Sequence, residues 1–126
     1  MPAYNTFVPP PAIYPGDKQT LWNAEASTGI TTSQQVYITS DVGTGNTECL
    51  VELSFSGAPG VFEVDVQFSG TDADTSYITA SLGGAITSVN ANNKASYKFS
   101  PTLGPFMRFS KSSITNSVNV TATVTR

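Results

Sequence analysis

The chain has 126 residues, the size of one domain with its own core. Only 12% of them are charged, the net charge is −3 and histidine is absent, which removes the commonest general base, the commonest zinc ligand and every Ser–His or Cys–His nucleophile pair. The six basic residues, Lys18, Lys94, Lys98, Arg108, Lys111 and Arg126, are too scattered to track a phosphate backbone, so no nucleic-acid partner is expected.

Residues 1–16 read as a segment apart. Pro2, Pro9, Pro10, Pro11 and Pro15 are five of the eight prolines, interleaved with Tyr4, Phe7, Val8, Ile13 and Tyr14. Proline fixes φ and lacks an N–H, so an extended or polyproline-like arm is expected. An arm without internal hydrogen bonds orders only by packing on something, either its own sandwich or a neighbouring subunit. The start carries no basic residue and no apolar run of signal-peptide length, and no stretch approaches a membrane span. Synthesis in the cytosol, with no membrane partner, is the resulting expectation.

Asp17–Gly29 allows one short helical turn around Leu21, Trp22, Ala24 and Ala26, or a strand or loop carrying a packed Trp22. From Thr31 onward the period is two. Val36 and Ile38 come first, then Cys49, Val51, Leu53 and Phe55, then Phe62, Val64, Val66 and Phe68. Ile78, Ala80 and Leu82 follow, with a short Ile86–Val89, then Ala95, Tyr97 and Phe99. Phe106–Lys111 is another candidate, and Val118, Val120, Ala122 and Val124 close the chain. Each run alternates with polar residues, the mark of strands with one dry face. Gly, Pro, Asn and Asp clusters separate them. The expected fold is all-β: a two-sheet antiparallel sandwich over 17–126, jelly-roll or immunoglobulin-like, behind the arm of 1–16.

Cys49, the single cysteine, sits in an apolar alternation and reads as a small core residue. The sequon at Asn119 falls in an expected strand and is set aside. Thr71–Thr75 places two aspartates in a loop, but EF-hand spacing is absent, so the segment reads as a turn and no metal or other cofactor is expected. Glu52, Glu63 and Asp65 are candidates for the carboxylate pair that is the minimum for glycoside hydrolysis, yet they fall at wet-face positions. No enzyme activity is expected. Trp22, Tyr37 and Tyr77 are candidates for a platform under sugar rings, against a reading of core and interface packing. Arg108, set among Phe106, Met107 and Phe109, is expected to lie over an aromatic or pair with a carboxylate, with an inter-subunit pair as the functional alternative.

The ending, Gly104-Pro105-Phe106-Met107-Arg108-Phe109 followed by a Ser/Thr/Asn turn and Ser117–Arg126, resembles a common ending of small tailed-bacteriophage virion proteins. The resemblance covers about 25 residues and implies a β-sandwich virion component: a capsid decoration protein, head-fibre base or tail accessory protein. Its implied partners are copies of itself and major capsid or other virion proteins, and its implied location is the virion. Tyr4, Phe7, Val8, Pro9, Pro10, Pro11, Ile13 and Tyr14 are then the residues expected to bridge subunits or grip a capsid lattice. The competing expectation is a carbohydrate-binding module or adhesin reading a host glycan.

Overall fold

A computed structural model describes residues 10–39 and 47–126. Their elements are ten strands: β1 (Ala12–Ile13), β2 (Lys18–Ala26), β3 (Val36–Ile38), β4 (Cys49–Phe55), β5 (Phe62–Ser69), β6 (Ile78–Thr79), β7 (Ala85–Ile86), β8 (Lys94–Phe99), β9 (Phe106–Ile114) and β10 (Asn119–Thr125). One 3-10 turn, Asp74–Ser76, precedes β6. The strands form two sheets. Sheet A runs β1-β3-β9-β5-β6, with β7 also paired to β5; sheet B runs β2-β10-β4-β8. Every pairing is antiparallel except that of β1 with β3.

The alternation explains the layers. On β5, Phe62, Val64, Val66 and Phe68 are buried while Glu63, Asp65 and Gln67 stay half-exposed. On β4, Cys49, Val51, Leu53 and Phe55 point inward in the same way. One sheet of this kind leaves an apolar face wet; stacking two removes both from water. Ring contacts knit the layers together: Phe55 meets Phe62 at 4.9 Å, Phe68 meets Phe99 at 5.0 Å and Trp22 meets Phe109 at 5.8 Å between centroids. Each joins a strand of sheet B to one of sheet A.

Residues 17–29 hold no helical turn. Lys18–Ala26 is a nine-residue edge strand in which the adjacent Leu21 and Trp22 are both buried. A bulge permits this, because Trp22 pairs with Ala122 and Thr20 with Thr123, leaving Leu21 as the extra residue. A second irregularity follows between Val120 and Ala122, and Ala24 there takes a left-handed φ of 51°. Two inward apolar neighbours fit a helix face as well as a bulged strand, so period alone did not separate them.

The sandwich also begins earlier than residue 17. Ala12 and Ile13 pair in parallel with Tyr37 and Ile38 at the edge of sheet A, and Ile13 is only 1% exposed. Proline suits this edge. Pro11 contributes its carbonyl to Tyr37 N–H (2.9 Å) and needs no N–H of its own. Ile13 therefore belongs to this chain's own core and leaves the set of residues expected to touch another subunit. Tyr4, Phe7, Val8 and Pro9 lie outside the described residues.

The Ile78–Leu82 alternation also ends sooner than expected. Strand β6 stops at Thr79, the chain turns, and Leu82 is 78% exposed. No helix among the described residues is long and apolar enough to cross a membrane.

Candidate functional site

Two features of sheet A stand beside each other: the root of the arm and the outward face around Arg108. The root is held from both sides. Thr39 donates to the Ile13 carbonyl through its N–H (3.2 Å) and its hydroxyl (2.7 Å). The following turn is closed by Asp17, whose N–H donates to the Tyr14 carbonyl (2.9 Å) and whose carboxylate accepts from Tyr14 N–H (3.1 Å). The last residue joins it, with Arg126 N–H donating to the Asp17 carbonyl at 2.9 Å. Tyr14 itself is 59% exposed beside this turn. Pro10 and Pro11 are partly covered.

On the outward face, Arg108 of β9 gathers partners from β5 and from the 70–77 loop. Its Nε donates to Gln67 Oε1 (2.9 Å), Nη1 to Asp74 Oδ1 (3.1 Å) and Nη2 to the Asp74 carbonyl (3.4 Å). Its guanidinium carbon lies 4.2 Å from the centre of the Tyr77 ring. Gln35 donates to the same Asp74 oxygen at 3.0 Å. Ser76 Oγ adds a bond to the Ala73 carbonyl (2.8 Å) and a short contact with Ser69 Oγ. Together these strap the 70–77 loop across the sheet. Of the two expected roles of Arg108, the structure shows the one within the chain: the guanidinium lies over Tyr77 and pairs with Asp74. Sequence reasoning marked Asp74 only as a turn residue and did not mark Gln35. Their separations from their partners, 34 and 39 residues, left no local signal.

The expected sugar platform does not assemble from its three members. Trp22 is buried in the core against Phe109. Tyr77 has one ring face under the Arg108 guanidinium. Burial, with the nearby Asp72 charge second, pushes its phenol up to about 12, so it stays neutral. Only Tyr37 remains open, packed edge-on against Phe106 at 5.2 Å.

The carboxylates divide between the sheets. Glu52 lies on sheet B, 3.7 Å from Lys18. Glu63 and Asp65 are neighbours at alternate positions of β5. Desolvation first, and Glu63 beside it second, push the Asp65 carboxyl up to about 6. Cys49 is buried, and desolvation pushes its thiol up to about 12, well away from thiolate chemistry at neutral pH.

Comparison of the chain with protein-family models, with curated proteins and with solved structures gives no match.

Proposed function

We propose that this chain is a non-enzymatic structural protein of a virus particle, a jelly-roll sandwich held to neighbouring subunits through the residues that precede Pro10. The strand order supports the jelly-roll assignment over an immunoglobulin-like one. Sheet B runs β2-β10-β4-β8, sheet A contains β3-β9-β5-β6, and the chain alternates between the sheets from β1 to β5 and again from β7 to β10, the order of two interleaved Greek keys. Double-sheet jelly rolls serve in virus shells and in lectins, so the architecture narrows the field without choosing within it.

The single observation that carries the reading is the anchored arm root. An apolar, proline-rich segment is attached to a strand locked into the sheet edge, with Ile13 as its peg. A tethered segment of low conformational freedom binds a neighbour at small entropic cost, and each contact is multiplied by copy number in an array. The likeness of the chain's ending to small tailed-phage virion proteins points the same way. The partners are then copies of this chain and a major capsid or other virion protein, and the place of work is the virion.

The test is assembly of the particle with a chain beginning at Pro10. The expected result is a folded protein missing from purified particles. Incorporation at an unchanged copy number overturns the reading. A glycan array tests the lectin alternative, for which Tyr37, packed on Phe106, is an exposed aromatic.

A further inference from the structure

The flank of the sandwich opposite β1 is left partly unroofed. Strand β8 is the free edge of sheet B, and its inward residues Ala95, Tyr97 and Phe99 pair with Leu53, Val51 and Cys49. Sheet A offers only the two-residue β6 and β7 on that side. The turn between them closes part of the gap by laying Gly83 on the Tyr97 ring, where a Cβ would come within 2.2 Å of it. The remainder is a groove of about 420 Å³ lined by Leu82, Tyr97, Phe99, Pro101 and Leu103, with Ser81, Lys98 and Ser100 between them. Leu82 and Leu103 are 78% and 64% exposed.

We propose that this groove receives the N-terminal segment of a second copy of the chain, with Tyr4, Phe7 and the flanking prolines as its anchors. The inference rests on the assembly reading above and names the surface that the arm grips. Three observations favour this occupant. The first nine residues carry no charged side chain, and they supply aromatics and prolines to a groove whose larger side chains are aromatic and apolar, apart from Lys98, which pairs with Glu48 at 3.5 Å. Aromatic-lined grooves are a general recognition surface for proline-rich segments. The arm also starts at the edge of sheet A away from the β6–β7 turn that carries Leu82. Strand β1 lies on the flank of β3, whereas the groove lies beyond β6 on the flank of β8. Finally, β1 runs parallel to β3, so the chain before Pro10 leaves from the Gln35 end. Leu103 sits instead near the Ile38 end, where Ile38 N–H donates to the Pro105 carbonyl. Donor and acceptor on opposite flanks make a head-to-tail contact, which closes into a ring or propagates as an array.

The experiment combines mass measurement with disulfide capture. In solution, the Leu82→Ser/Leu103→Ser variant is compared with the full chain and with a chain of residues 10–126. The two leucines are exposed, so serine leaves the core unchanged, and circular dichroism checks the fold. In parallel, Asn5→Cys protein is mixed with Leu103→Cys protein under oxidised glutathione. Cys49 is buried and stays silent.

The expected results are a multimer for the full chain, at least tenfold weaker association for the groove variant, and a covalent two-chain product from the mixture. Ser54→Cys on the outer face of sheet B, mixed in place of Leu103→Cys, forms no such product. A groove variant that associates as tightly as the full chain overturns the proposal. If residues 10–126 are then monomeric, the arm reading survives and only the groove falls. If they remain multimeric, or the full chain is monomeric throughout, both fall. A product of single-chain mass from a double Asn5→Cys/Leu103→Cys chain, with none from the mixture, places the arm in its own groove and overturns the second-copy assignment.

Discussion

Ile13 pairs with Ile38 in parallel register, and the two side chains are 1% and 0% exposed. This contact joins the arm to the body. It also sets the point at which the arm can be cut without harm to the fold. At concentrations too low for chain association, removing residues 1–9 is expected to leave unfolding stability within about 0.5 kcal/mol of the full chain. Ile13→Ala is expected to cost about 2–5 kcal/mol, through lost burial and the cavity left behind. Removing residues 1–16 costs at least as much. Urea unfolding of the three proteins checks the ordering.

The straps around Arg108 hold a loop and contribute modestly to global stability. Asp74 is 82% exposed, so its ion pair is worth little, while the guanidinium over Tyr77 is sheltered. Arg108→Ala is expected to cost about 1–2 kcal/mol. It should also speed amide exchange across Ser69–Tyr77 by more than it does elsewhere. Chain association should be unaffected. A change in solution mass with no change in loop protection would return Arg108 to an inter-subunit role.

Gly83 occupies a position closed to other residues twice over. Its φ is +76°, a region that costs an L-residue about 1–2 kcal/mol, and its missing Cβ leaves room for the Tyr97 ring. Gly83→Ala is expected to lower stability by at least that amount and to displace the ring. Near-ultraviolet circular dichroism should report the altered tyrosine environment, and thermal unfolding the loss.

Asp65 makes stability depend on pH in an uncommon direction. Its folded carboxyl is raised from 3.8 to about 6, by desolvation first and then by Glu63. Between these values the folded state holds a proton that the unfolded state has released. Its contribution is therefore fully present below pH 3.8 and is lost as pH rises through about 6. Stability should rise between pH 7 and pH 5 rather than fall. Asp65→Asn should be more stable than the parent at pH 7 and should flatten that rise. Thermal midpoints at pH 5, 6 and 7 for both proteins decide the matter.

The strands most readable from sequence were those whose two faces meet different surroundings. Phe62–Phe68 alternates with Glu63, Asp65 and Gln67 because one face packs and the other is wet, and that contrast is written in residue type. Trp22 was ambiguous because a bulge places two successive residues inward and breaks the period. Ile13 was assigned to the arm because a two-residue strand leaves no periodic trace, and prolines dominate its surroundings. Leu82 looked buried because it extends an alternating run, yet sheet A ends before it. The partners of Arg108 come together only through the sheet order, since β5 and β9 are neighbours in space and not in sequence. Local pattern carried the layers; which edges stay open, and what crosses them, came only from topology.

The proposed role of the residues before Pro10 is to hold one subunit to another. Light scattering of the full chain and of residues 10–126, over the same concentration range, addresses it directly. A multimer of the 13.2 kDa chain is expected for the former and a folded monomer for the latter. Equal masses for the two proteins, whether monomeric or multimeric, would contradict it.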